Sequence, residues 1–182
     1  PEYSRPVKRN AEPGDEISFT DGFPLLIISE ASLEDLNQRL DFPVPMNRFR
    51  PNVVITGCPA YAEDEWTRIR IGDCVLRAAG PSSRCAVITI DQETLQVGRE
   101  PLATLATYRR GKDGKVYFGQ NHINETKRGS FALGDVPKST NSCNAKLAGS
   151  EDSRLIEGDR AHAVVAQVLL DLGHQRRRIR PT

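Results

Sequence analysis

The chain has 182 residues, with 25 Lys and Arg against 24 Asp and Glu and a formal net charge of +1. That length fits one domain able to bury a core, and the balanced charge leaves no overall basic field to argue for nucleic acid or an anionic membrane. No apolar run approaches the length of about 18 residues that a transmembrane helix needs. The N-terminus, Pro1-Glu2-Tyr3-Ser4-Arg5, has neither an apolar signal core nor an initiator Met, as expected of a fragment. The four cysteines, Cys58, Cys74, Cys85 and Cys143, form no C-x-x-C pair and have no histidine close by in sequence. Neither a structural zinc site nor a disulfide framework is expected. Reduced thiols point to an intracellular, cytoplasmic location, or a mitochondrial one for a eukaryotic chain.

In chain order, residues 1–14 read as an irregular lead-in. Glu16–Phe19 alternates polar and apolar as a strand does. Asp21-Gly22 signals a turn, and Pro24–Ser29 is an apolar run expected as a buried strand. Ser32 is expected to cap a short helix over 33–40, with Leu33, Leu36 and Leu40 on one face and Pro43 as its limit. Three prolines stiffen Pro43–Pro51, which carries Arg48 and Arg50. Val53–Thr56 reads as a strand, Glu63–Glu65 as an acidic loop before Trp66. Thr67–Ile71 alternates Arg out and Ile in. Gly72-Asp73 then turns the chain into Cys74–Ala79, forming a hairpin.

Pro81, Ser82 and Ser83 predict a turn, and the β-branched run Val87–Ile90 predicts a strand starting beside Cys85. A helix is expected over 101–110, opened by Pro101, with Leu102, Leu105, Ala106 and Arg109 on one face and Gly111 as its stop. Asp113-Gly114 is a hairpin signal leading into Val116–Phe118, and Phe131–Leu133 reads as a further strand. Ser139–Ser153 is small and polar like a linker. Arg160–Leu172 has a helical apolar spacing, and residues 176–180 form a basic end, read as solvated. These elements predict a mostly β domain: a closed or nearly closed barrel with two short peripheral helices over 1–136. Residues 137–182 follow as a linker and tail.

Among residues able to carry chemistry, Cys85 follows Arg84, a fixed cation that favours the thiolate, the form that ligates metals. The competing reading is a small buried hydrophobe at a strand start. Asp64 reads either as a proton-transfer or positioning group or as a turn cap. Trp66 either walls a pocket or packs on the barrel. Gln120 and Asn121, unusual after an apolar strand, either aim amides at a ligand or form a buried structural pair. Cys58 and Cys74 read as small residues in or near strands. His122, His162 and His174 form no constellation.

Four segments taken together, Asn47–Ile55, Tyr61–Trp66, Pro81–Asp91 and Phe118–Asn121, resemble the MOSC domain family. Within that family the resemblance is greatest to its amidoxime-reducing members and runs from about Pro13 to Asp135. It implies a twisted β-barrel of MOSC type with peripheral helices. It also implies a molybdenum cofactor, molybdopterin, with Cys85 as molybdenum ligand and Arg84 beside it. Arg50, Asn52 and, as a weaker companion, Arg48 would help hold the pterin; a guanidinium fork suits pterin or phosphate oxygens. Asp21 would stand in the cofactor pocket, with Gly22 and Phe23 where relatives carry small hydroxyl residues. Ser82 stands where many relatives have a further cysteine.

The activity so implied is reduction of N-hydroxylated substrates. Electrons would come from a b-type cytochrome or an iron–sulfur protein or domain. Relatives also carry a preceding N-terminal β domain that supplies basic and hydroxyl residues to the cofactor, and this chain starts after it. The family has a pyridoxal phosphate association as well. An alternative is a non-catalytic module that carries cofactor or sulfur, as in molybdenum cofactor sulfurase. A third reading is a barrel that binds nothing. Without the resemblance, Arg50, Asn52 and Asp21 read as a surface arginine, a strand-start amide and a turn aspartate.

Overall fold

A computed structural model of the chain describes residues 5–17, 22–127, 129–132, 134–139 and 167–168. The strands are β1 (Arg5–Pro6), β2 (Glu16–Ile17), β3 (Leu25–Ser29), β4 (Val53–Ile55), β5 (Arg68–Ile71), β6 (Cys74–Arg84), β7 (Val116–Asn124), β8 (Lys138–Ser139) and β9 (Gln167–Val168). Two helices join them, α1 (Glu30–Asn37) and α2 (Leu102–Tyr108). β1 and β2 pair with each other, and the other seven form one sheet in the order β8-β5-β6-β7-β3-β4-β9. The domain is mostly β, and this curled sheet makes a nearly closed barrel, as the strand spacing predicts.

The sheet has two buried faces, because β3 splits its apolar run between them. Ile27 packs with Val53, Ile69, Ile71 and Leu76 on one side. Ile28 packs with Leu36 of α1, Leu105 of α2 and Phe118 on the other. β5 alternates as expected, Arg68 and Arg70 exposed and Ile69 and Ile71 buried. Its hairpin with β6 turns at Gly72-Asp73, where Ile71 pairs with Cys74 and Gly72 has φ +52°. Trp66 packs half-buried against the cluster around Ile27.

The largest departure from expectation lies around Cys85. β6 does not stop before Pro81: it runs on to Arg84, held by β7 through Pro81↔Gln120, Ser83↔Tyr117 and Arg84↔Val116. Register shifts on either side of Gly80–Pro81 admit a proline without a ladder donor. Cys85 therefore follows the strand instead of opening one. The expected strand over Val87–Ile90 is a 3-10 turn over Ala86–Thr89, closed by Ile88 N donating to Cys85 O and Thr89 Oγ1 to Ala86 O. Tertiary packing overrides β-propensity there: Ile88 sinks into the cluster with Leu105 and Phe118, while Val87 stays 57% exposed.

Other elements shift less. α1 starts before Ser32 because Ser29 caps it, accepting from Ser32 N at 3.0 Å. The Ser32 hydroxyl instead donates to the buried Glu63 carboxylate at 2.7 Å and accepts from Tyr61 N. Cys74 is buried in β6, whereas Cys58 lies half-buried in the turn after β4. Phe131 and Ala132 join no ladder. Gln167 and Val168, expected inside a helix, are extended and pair with β4, whose outer edge offers unpaired backbone groups. The rest of the proposed linker, the tail helix, the basic end, Cys143, His162 and His174 lie outside the described residues, as do Ser18 and Phe19.

Candidate active site

Cys85 is exposed at the end of β6. Behind it, Arg84 turns inward. Its Nε and Nη2 donate to Phe118 O at 2.8 and 2.5 Å, its Nη1 to Phe49 O at 3.2 Å, and its guanidinium lies 5.6 Å from the Phe49 ring centroid. Burial pushes this guanidinium down to about 10, still a cation at neutral pH, with the Cys85 thiol as the one charge acting in the opposite direction. All its bonds go to carbonyls. Among the described residues no carboxylate matches its charge, and the residue that follows it carries the one exposed thiol described.

Arg48, Arg50 and Asn52 sit on the adjoining corner, a 3-10 turn over Met46–Phe49 that runs into β4. Arg48 is buried and donates to Asp91 Oδ2 at 2.6 Å, tying this corner to the loop after Cys85. Arg50 is exposed with a left-handed backbone (φ 52°). Asn52 exchanges bonds with Leu26: its Oδ1 accepts from Leu26 N at 2.8 Å and its own N–H donates to Leu26 O at 2.9 Å. That leaves its side-chain NH2 as the group able to meet a ligand. Asp21 lies outside the described residues.

Asp64 and Gln120 meet at a separate feature, a cleft of about 330 Å³ walled also by Tyr108, Arg109, Tyr117 and Pro81. Asp64 Oδ2 accepts from Arg109 Nη2 at 2.5 Å, whereas Oδ1 is buried with no donor. Gln120 is 7% exposed; its Oε1 has no donor and its Nε2 reaches Asp64 O only at 3.5 Å. Asn121 pairs through its backbone with Gly80 and Leu26 and does not line this cleft. Cys85 does not line it either.

Arg109 is fixed on three sides. Beyond Asp64, its Nε donates to Tyr117 O at 3.2 Å, and its guanidinium lies 4.4 Å over the Tyr61 ring. The Tyr61 hydroxyl donates to Asp35 Oδ2 at 2.6 Å and lies 2.9 Å from the Tyr108 hydroxyl. Burial, then the bond to Asp35, pushes the Tyr61 hydroxyl far up, so it stays protonated. The bond from Arg39 holds Asp35 below the usual carboxylate range.

Sequence reasoning did not assign Arg109, Tyr61, Tyr108 or Tyr117 to a site. One signal was present: the helical spacing sets Arg109 on the same face as Leu105, and a charge on an apolar face asks for a buried partner. That partner is Asp64.

A family model described as "MOSC domain" matches residues 14–137. Over 131 residues the chain is 44% identical to the mitochondrial amidoxime-reducing component 1 of Homo sapiens, covering 68% of this chain and 39% of that protein. The Mus musculus protein of the same name is 44% identical over 143 residues, 74% of this chain and 42% of that one. The molybdenum cofactor sulfurase of Oryza sativa subsp. japonica is 44% identical over 115 residues, 57% of this chain and 14% of the rice protein. The chain thus spans well under half the length of these relatives.

Proposed function

Because the chain belongs to the MOSC domain family, we propose that it is the molybdenum-cofactor-binding domain of a reductase acting on N-hydroxylated substrates, with Cys85 as the metal ligand. The observation that carries this reading is the exposed Cys85 thiol next to Arg84, whose guanidinium interacts with it electrostatically and has no carboxylate partner among the described residues. A sulfur ligand there would lie beside a buried cation, and a soft sulfur donor suits molybdenum. The residues fit the group: Arg50, exposed at this corner, would offer a guanidinium fork to pterin oxygens, and Asn52 would add an NH2 donor. Arg48, bound to Asp91, fixes the corner's position. Arg84 acts as a charge and a brace. Asp21 is assigned to the same pocket by resemblance alone, and Asn121 by its amide after an apolar strand.

When bound, the cofactor supplies a two-electron redox centre. In the net reaction the substrate N–O bond breaks, two electrons and two protons enter, and the oxygen leaves as water. The electrons come one at a time from a b-type cytochrome or an iron–sulfur protein or domain. Asp64, held in one orientation by Arg109, is the group we assign to proton handling and substrate positioning. If the chain is part of a longer protein, further phosphate contacts would come from an N-terminal β domain.

The test is metal content. Protein from a molybdenum-replete host carries molybdenum, and Cys85→Ser loses it. Because Cys85 is exposed, the change costs stability no more than about 0.5 kcal/mol. Equal molybdenum in both proteins sinks the reading. The 44% identity to a molybdenum cofactor sulfurase favours a second reading, a cofactor-carrying module without turnover. Amidoxime reduction with an artificial electron donor separates the two.

A further inference from the structure

Two depressions adjoin where β6 runs irregularly against β7. One, of about 330 Å³, is lined by Arg110, Tyr108 and Gly111 among others. The second, of about 370 Å³, is lined by Arg9, Asn10, Phe23 and Gly80 among others. Pro81 and Tyr117 line both, so the two form one groove with a shared wall. The Tyr117 ring is held there, its hydroxyl donating to Asp113 Oδ2 at 2.6 Å. Both arginines stand on fixed backbone. Asn10, next to Arg9, has left-handed backbone (φ 48°); its Nδ2 donates to Ala79 O at 2.7 Å, and its own O accepts from Arg77 Nη1 at 3.0 Å. Arg110 pairs through its backbone with Val116, and its Nη1 donates to Gly114 O at 2.7 Å. Neither guanidinium has a carboxylate partner among the described residues. Lys8 and Lys112, exposed close to them in sequence, have none either. Asp64, the one carboxylate among the lining residues, is matched by Arg109 at 2.5 Å. The groove thus carries unmatched positive charge in a chain whose net charge is only +1.

We infer that this groove binds an acidic segment of a partner protein, laid extended across the Pro81–Tyr117 wall with a carboxylate for each arginine. An exposed guanidinium on fixed backbone offers a carboxylate a ready fork at little cost in ordering. Arginine clusters that read acidic motifs work in this way. Between the two charges, Pro81 and the rings of Phe23, Tyr108 and Tyr117 suit flat or apolar side chains. A small anion engages one depression and gains one arginine, whereas a chain reaches both. A nucleic acid, with a phosphate at every step, asks for a longer run of cations than two arginines and their neighbouring lysines. The inference stands apart from the cofactor reading, since neither Cys85 nor Arg50 lines the groove.

The experiment is fluorescence anisotropy of the full chain with a labelled peptide in which Glu alternates with Pro and Tyr, about ten residues long and so about 30 Å when extended. A peptide with Gln in place of every Glu and a short DNA duplex serve as controls. The acidic peptide is expected to bind, more weakly as salt rises, and the Gln peptide not to bind. Arg9→Gln and Arg110→Gln should each weaken binding about threefold and together about tenfold, the scale of exposed charge pairs. Both side chains are exposed, so melting curves should not move. Arg70→Gln removes the same charge from the exposed face of β5, outside the groove, and should leave binding unchanged. No binding of the acidic peptide, equal binding of the Gln peptide, or an Arg70→Gln loss as large as that of Arg9→Gln or Arg110→Gln overturns the inference. DNA bound as tightly as the peptide, and released by the same two variants, assigns the groove to nucleic acid and overturns it too. The cofactor reading is judged separately, by molybdenum in Cys85→Ser, so either can fail while the other stands.

Discussion

His122 is fully buried in β7, its Nδ1 3.2 Å from Gln120 O and its Nε2 without a partner. Burial pushes the ring down to about 4, from an ordinary value of 6.5, so it is neutral in the fold. The sign follows from proton counts. Between those values the unfolded chain binds a proton that the folded one refuses, so unfolding gains as pH falls. The contribution is fully present above 6.5 and is lost as pH drops toward 4, to a total of about 3 kcal/mol. Asp35, held down by the bond from Arg39, and Asp113, held down by the Tyr117 hydroxyl, are lost in a lower window, below their ordinary 3.8. Urea midpoints measured from pH 6.5 to 4 should therefore fall for the unaltered chain and fall less for His122→Asn. Parallel curves would assign the loss to another group. Arg84 is the opposite kind of buried ion, a cation that keeps its charge because backbone carbonyls solvate it.

At the scale of elements, the site depends on an irregularity in β7. Between Ser83↔Tyr117 and Pro81↔Gln120, β7 spends one residue more than β6, and burial across Phe118, Gly119 and Gln120 does not alternate. The bulge turns Phe118 O toward Arg84 while Gln120 faces the cleft. Gly119 makes it possible: φ is +79°, and an added Cβ would stand 2.6 Å from Ile28 Cγ1 and 2.9 Å from Ile27 O. Gly119→Ala should cost about 2 kcal/mol or more by denaturant titration. Gly114→Ala, with φ +80° but nothing within 4 Å, should cost only about 1 kcal/mol. Equal costs would show that the bulge has no special demand for glycine. What the sequence made legible follows from this. Thr67–Ile71 could be read because one face meets the core and the other water, and a period of two records that. Val87–Ile90 could not, because both signals it carries, branching and apolarity, fit a packed turn as well as a strand. The Asp64–Gln120 cleft was legible as residue types but not as a place. Residues 56 positions apart meet only through the bulge and the ladder between β6 and β7.

For the molecule as a whole, the open question in the fold is what the two sheet edges require. β8 covers β5 and β9 covers β4, each by two residues. The edges differ in kind. β5 carries exposed Arg68 and Arg70, and charged side chains discourage pairing with another chain. β4 is Val53–Ile55, buried throughout and without a charge. Removing residues 137–182 strips both covers. Two short ladders contribute little against the cores around Ile27 and Ile28, so monomer stability should stay within about 1 kcal/mol. The larger effect should be association, since the uncovered β4 edge offers apolar backbone to a second copy whereas β5 does not. Sedimentation of the truncated chain should show concentration-dependent dimers, and Val54→Lys should return it to monomer. A stability loss well above 1 kcal/mol would instead mean that the tail docks on the barrel through more than these two ladders.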